Sequence, residues 1–346
     1  MIGIGFVGAG MIGQVAHIAN FADLAGCKLR AIAELRPQLG QQAAGRFHVE
    51  RHYRSHHELL ADPAIDAVVV ATRRAATGPV VRDALRAGKH VLSEKPMAAT
   101  RALAQSLVDD AAAARRKYAI GFMKRHDAGV QRAKKILEEL SASGELGRII
   151  LVRGYCFGGA FLVGSPDFTM TDEPRPEGLE LWPEAPDWVP PALAADYAWF
   201  LNVFVHDLNL IRFLAGKTPL ITAADLRRPN GRLVTFDFGD FPGVLEMTEV
   251  PFAEWQEGVE ILFERGRLRV ELPPPLRRNV PARVELYCGG DRNETIRPDF
   301  PPTWAFRRQA EAFISDIEAD REPIASGRDS LEDMALVEQI WRKHIG

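Results

Sequence analysis

The chain has 346 residues, room for two ordinary domains of about 100–200 residues each. Its 43 Lys and Arg against 46 Asp and Glu leave a net charge of −3 with no long basic run to neutralise a phosphate backbone, which excludes a nucleic-acid binder and favours a small-molecule partner. No apolar run reaches the ~18 residues of a membrane helix, so no membrane partner and a soluble protein are expected.

The first thirteen residues, MIGIGFVGAGMIG, are apolar, but no basic segment precedes them and no clear small-residue cleavage site follows, so they read as mature structure rather than a secretion signal. Ile2–Val7, Lys28–Ala33, Ala67–Ala71 and His90–Ser93 read as strands, with helical patterns such as Pro79–Ala87 between them. Near-continuous apolar strands joined by helical crossovers predict a parallel, doubly wound sheet covered on both faces. Gly88, after LRA and before KHVLSE, suits a left-handed helix cap that turns the chain into the next strand. A helix over Thr100–Lys117 and a last strand over Tyr118–Phe122 place the domain boundary near Phe122.

Beyond it the order changes. A helix at Ala128–Leu140 is followed by strand-like runs at Arg148–Cys156, Arg232–Asp237, Gly243–Glu249, Gly258–Phe263, Gly266–Glu271 and Ala282–Tyr287, and helices at Trp304–Ala319 and Ser330–His344 close the chain. Strands with little helix between them predict an α+β second domain, residues 123–346, on a mostly antiparallel sheet. Between Ala160 and Ala195 lies a stretch dense in Pro, Gly, Asp and Glu that includes Trp182 and Trp188, longer than the ~12–15 residues of an ordinary connection. It reads either as a lid or oligomer arm or as an ordered excursion pinned by its tryptophans. Cys27, Cys156 and Cys288 are spread widely without metal or disulfide spacing, which points to a reducing, cytoplasmic setting.

The sharpest signal is Gly8-Ala9-Gly10-Met11-Ile12-Gly13, a G-x-G-x-x-G directly after a strand and before a helix. The first glycine permits the turn, the second lets backbone approach a pyrophosphate, and the third lets helix and strand pack closely. The diphosphate then meets the helix N-terminus. Glu34 ends the next strand near the ~20-residue spacing of a ribose-binding carboxylate, which favours NAD and repels a 2′-phosphate. Arg36 beside it keeps NADP as the alternative.

Ligands of open parallel sheets lie beyond the carboxyl ends of the strands. DAVVVAT runs into Thr72 and Arg73, and KHVLSE runs into Glu94, Lys95 and Pro96, so these ends join the cofactor site and Lys95 points toward it. His48, His52, His56 and His57 bring no acidic or thiolate partner at sharp spacing, so no metal is expected there and a solvated edge is the reading.

AGKHVLSEKPMA resembles the E-K-P signature of the Gfo/Idh/MocA oxidoreductase family. DAVVVAT, GFMKRHD, VHDLNLIRFLAG, GVEILFERGRLRV and FRRQAEAFISDIEADREPIASG resemble it too, covering most of the chain. The resemblance implies an N-terminal Rossmann domain, a C-terminal domain on a large open sheet that mediates homodimers or homotetramers, and oxidation of a secondary hydroxyl of a sugar or polyol. It also implies that Lys95 hydrogen-bonds the reacting hydroxyl and that His206, in the D-x-x-x-H position, is the acid or base. The chemistry agrees: hydride removal from a carbinol leaves a proton for a base poised near neutrality, which imidazole is, and an ammonium stabilises developing alkoxide charge. Arg125 is a further candidate substrate contact, or else part of a surface ion pair.

The chain departs from the pattern at Asn202 and Asn209, where the family has Asp, and at Gly78, near where a His often follows the fourth strand. On one helix Asn202 and His206 share a face, where Asn orients a hydroxyl without supplying charge. These departures leave two further readings beside the dehydrogenase: a redox-neutral elimination or hydrolysis on a sugar with NAD held in place, and a nucleotide-sensing regulator without catalysis.

Overall fold

A computed structural model describes residues 1–174, 176–228 and 230–346. Two compact units interleave along the chain. One comprises Met1–Phe122, Pro166–Asn202 and Phe306–Met334; the other comprises Met123–Ser165, Val203–Ala305 and Ala335–Gly346. Where the sequence reading draws a boundary near Phe122 and assigns all that follows to the second domain, residues 166–202 and 306–334 pack with the N-terminal unit.

The first unit is built on six parallel strands in the order β3-β2-β1-β4-β5-β6. These are β1 (Ile2–Val7), β2 (Cys27–Ala33), β3 (Arg51–Tyr53), β4 (Ala67–Val70), β5 (His90–Ser93) and β6 (Tyr118–Ile120). The central strands are apolar on both faces because helices cover both: every residue of β4 is buried, as are Ile4 and Phe6 of β1. The crossovers include α1 (Ala19–Phe21), α2 (Pro37–Arg46), α3 (His56–Ala61), α4 (Arg74–Arg86) and α5 (Arg101–Ala114). Ser55 and Thr100 cap α3 and α5, accepting the N–H groups of His57 and Leu103. Late in the chain, α9 (Ala305–Glu318) adds Ala310, Phe313 and Ile314 to the core of Ile18, Phe21, Leu24 and Cys27. Each large side chain so buried contributes about 1.5–3 kcal/mol.

The second unit carries eight strands in the order β14-β13-β12-β11-β7-β10-β9-β8. They are β7 (Ile149–Gly158), β8 (Leu220–Asp225), β9 (Arg232–Asp237), β10 (Pro242–Glu249), β11 (Gln256–Phe263), β12 (Gly266–Leu272), β13 (Arg283–Cys288) and β14 (Glu294–Ile296). All neighbours are antiparallel except β7 and β10, which pair parallel in the middle, so the sheet is mostly antiparallel, as expected. Helices α6 (Ala128–Ser143) and α8 (Val205–Ala215) cover one face. At Gly154 of β7 an added Cβ would stand 2.3 Å from Ile211, so α8 lies directly on the strand. Asp127 starts α6, accepting N–H bonds from Gly129 and, across the fold, from Ala282.

No helix among the described residues is long and apolar enough to cross a membrane. The three cysteines are buried and unbridged.

Candidate dinucleotide and catalytic site

At the carboxyl ends of β1, β2 and β4 the first unit encloses a cavity of about 500 Å³, at the point where strand order reverses. Gly8, Gly10, Met11, Ile12, Gly13, Glu34, Arg36, Thr72 and Arg73 stand in its wall, with Leu35 and Arg54, which the sequence did not single out, and with His56 of the histidine-rich edge. Gly8 has φ +94°, and an added Cβ would strike the Ala71 carbonyl oxygen at 2.5 Å. A Cβ on Gly13 would meet the Gly8 carbonyl oxygen at 2.5 Å. On Gly10 it would meet nothing within 4 Å: the missing side chain leaves open space, as the second fingerprint glycine must for a diphosphate to reach the backbone.

Glu34 is 5% exposed, and its carboxylate is built into the glycine turn. Oε2 accepts the Ala9 N–H at 2.8 Å; Oε1 accepts Nε of Arg36 at 2.8 Å and its backbone N–H at 3.2 Å. The carboxylate thus ties the end of β2 to the fingerprint loop through Ala9, which itself is buried. Beyond the loop the chain winds as a π-helix over Gly13–Ile18.

Glu94 and Lys95 are not in the wall of this cavity. Glu94 accepts from His17 of the π-helix, Nε2 to Oε1 at 2.6 Å, and from the Lys95 N–H at 3.2 Å. Burial works against its charge, but these two partners prevail and hold the carboxyl below its usual range. His17, in a T-shaped contact with Phe306 at 5.4 Å between ring centroids, holds Glu94 in place and left no local signal in the sequence. The Lys95–Pro96 bond is cis. Lys95 Nζ donates to the Asn202 carbonyl oxygen at 2.8 Å and to Asn202 Oδ1 at 3.3 Å, so the first unit brings these two candidates together.

Asn202 and His206 do not share one helix. Asn202 lies in α7 (Ala194–Val203), the chain turns at Phe204, and His206 lies in the first turn of α8. The expectation of one continuous helical face does not hold, because the helix is interrupted between them. In the second unit Arg125 is buried rather than at the surface, its Nε donating to Asn209 Oδ1 at 2.7 Å and its guanidinium over the Phe213 ring at 4.9 Å. A neutral amide thus serves a buried cation where the family has a carboxylate.

Next to His206 stands a cluster not anticipated. The Lys124 ammonium contacts the Glu257 carboxylate and lies 3.9 Å from Asp207, and Trp255 Nε1 donates to Glu257 at 3.2 Å. Burial pushes the Asp207 carboxyl up to about 6, against the pull of Lys124, and pushes the Cys156 thiol well up. Asp207, Glu257 and Cys156 offer ligand atoms within 4.8 Å of one another, but the ammonium stands on the carboxylates. Among the histidines, α4 supplies the acidic partner the sequence lacked: Asp83 accepts from His56 at 3.1 Å, with His57 alongside. Asp83 is also held by Arg82, and burial lowers the His56 pKa.

Residues 2–122 match the sequence model of an oxidoreductase family described as an NAD-binding Rossmann fold. The inositol 2-dehydrogenase of Salmonella typhimurium is 32% identical over 153 residues, 43% of this chain and 44% of that protein, so the chain matches less than half the length of that relative. The inositol 2-dehydrogenase of Rhizobium meliloti is 23% identical over 98% of this chain and 95% of its own. Among solved structures, an aldose-aldose oxidoreductase from Caulobacter crescentus complexed with glycerol superposes with a TM-score of 0.77 at 21% identity, over 99% of this chain and 97% of that one. Residues 2–122 thus carry the NAD-binding Rossmann domain of the Gfo/Idh/MocA oxidoreductase family, which is the part of the chain its sequence model matches.

Proposed function

We propose that the protein is an NAD-dependent dehydrogenase of a secondary hydroxyl on a sugar, sugar derivative or polyol. The observation that carries this reading is the cavity itself, with an open Gly10, a glycine-rich turn and Glu34 at the end of β2. Gly8 to Gly13 would hold the diphosphate, Glu34 the adenosine ribose, and Thr72 and Arg73 the opposite side. Glu34 argues for NAD; Arg36 and Arg54 in the same wall keep NADP as the alternative to test. When bound, the nicotinamide supplies a hydride acceptor.

Lys95 is assigned to the reacting hydroxyl, where its ammonium stabilises alkoxide charge. Asn202 holds the ammonium through its backbone carbonyl and its Oδ1. His206 takes the proton, and Arg125 and Asn209 are assigned to substrate binding. The relatives named inositol 2-dehydrogenase support the substrate class. The eight-stranded sheet, with Arg153, Tyr155 and Glu246 half-buried along it, is proposed as the surface that forms homodimers or homotetramers. The unbridged cysteines support a cytoplasmic setting. Equilibrium titration with NAD, followed by turnover against a panel of inositols, aldoses and sugar acids, tests the reading. Binding with reduction of the cofactor supports it; binding without reduction by any of them removes the dehydrogenase assignment.

A further inference from the structure

Residues 166–202 do not project as an arm. From Thr169 to Glu184 the chain is tied to the first unit at successive points, and these ties lie on both flanks of the cavity; position 175 is outside the described residues. On the glycine-loop flank, the Gln14 amide accepts the Thr169 N–H at 2.9 Å and donates to the Thr169 carbonyl at 3.0 Å, while donating also to the Ala9 carbonyl at 2.8 Å within the fingerprint. Next, the Glu173 carboxylate accepts the N–H groups of Gln38 and Leu39 at 2.8 and 2.9 Å, taking up donors that the first turn of α2 leaves without helical partners. Pro176 and Leu179 then stand in the cavity wall.

On the other flank the chain reaches α4. Glu180 takes the Arg82 guanidinium through two bonds at 2.7 and 2.8 Å, and Glu184 accepts from Arg74 at 3.1 Å. Between them, α4 has two features that make sense only with this segment in place. Pro79 has no N–H, so the Ala75 carbonyl lacks its i+4 donor, and the Trp182 N–H supplies that bond at 2.8 Å. At Gly78 an added Cβ would come 2.1 Å from the Trp182 ring, so the absent side chain is the space the indole occupies. The departure from the family pattern at Gly78 is therefore half of a fitted pair.

We propose that residues 169–174 and 176–184 form a strap that is part of the dinucleotide site, walling its adenosine end and setting the rate at which the cofactor leaves. The assignment rests on reading the cavity as a dinucleotide site. The adenosine end is the one marked by Glu34, Leu35 and Arg36, and Pro176 and Leu179 share its wall. A ligand walled from both flanks escapes when the strap opens, so each anchor slows release. Because the Glu180 and Glu184 pairs are at the surface and salt-sensitive, release also quickens with ionic strength.

The test is stopped-flow release of NADH from the full-length protein, displaced by excess NAD and followed by nicotinamide fluorescence, for the wild type, Gly78→Ala and Glu180→Ala. Gly78→Ala expels the indole and is expected to raise the release rate roughly tenfold, and Glu180→Ala a few-fold. A thermal melt of each variant checks folding, and Glu180→Ala, a surface change, keeps the test open where Gly78→Ala fails to fold. Release unchanged in the folded variants, with NADH bound normally, overturns the strap and leaves the dinucleotide reading intact. No NADH binding by the wild type overturns the dinucleotide reading itself, and the strap with it.

Discussion

The Lys95 ammonium gives two hydrogen bonds to one residue, Asn202, at 2.8 Å to its backbone carbonyl and 3.3 Å to its Oδ1. An aspartate at 202 would turn the second of these into an ion pair. An opposite charge at this range favours the protonated amine, so Asn202→Asp is expected to move the basic limb of the kcat/KM profile up by about one pH unit. The profile is measured with the best substrate of the panel; an unmoved basic limb removes Lys95 from the titrating groups of the reaction.

Lys95→Ala is expected to lower kcat by about a hundredfold or more while leaving the NAD dissociation constant within a few-fold, since Lys95 lies outside the wall of the dinucleotide cavity. Steady-state kinetics and a binding titration on one preparation separate the two effects. A loss of NAD affinity equal to the loss of kcat would make Lys95 a cofactor ligand instead.

The glycines of the fingerprint separate folding from binding. Gly10→Ala places its methyl in open space and is expected to leave the melting temperature nearly unchanged while weakening NAD about tenfold or more. Gly13→Ala meets the Gly8 carbonyl oxygen at 2.5 Å and is expected to destabilise the fold by about 1–3 kcal/mol. Calorimetric melting and titration of both variants check the contrast. Equal affinities for Gly10→Ala and wild type would empty the cavity of its assigned diphosphate.

Buried Asp207 titrates at about 6, above its ordinary 3.8. In that window the folded chain holds a proton that the unfolded chain gives up, so this carboxyl contributes stability below the unfolded value and loses it as pH rises toward 6, at a slope approaching 1.4 kcal/mol per pH unit. Asp207→Asn removes the titration. Its stability relative to wild type is expected to rise between about pH 4 and 6 and then level, as read from urea unfolding across pH. A pH-independent difference would show that Asp207 is ionised throughout.

Much of this was legible in the sequence because it is local. Apolar runs place β1, β4 and β5, G-x-G-x-x-G sits where strand turns to helix, and Glu34 follows at the ribose spacing. The short edge strands β3 and β14 carry no continuous apolar run, since an edge of three residues buries little. The helix break at Phe204 is hidden because no Gly or Pro marks it and Phe204 itself remains in the right-handed region. Long-range partnerships left no local trace: His17 with Glu94, Lys124 with Glu257, Arg125 with Asn209. Gly78 and Pro79 were visible but read as a departure and an ordinary helical residue, because their partner, Trp182, lies about a hundred residues away.

The central claim is hydride transfer from a sugar or polyol hydroxyl to NAD, and the most direct test is the absorbance of reduced nicotinamide when the purified protein meets NAD and a panel of inositols, aldoses and sugar acids. The account expects reduction with at least one of them, abolished in Lys95→Ala and His206→Ala variants that still bind NAD. Binding of NAD with no reduction anywhere on the panel, or reduction undiminished in both variants, would contradict it.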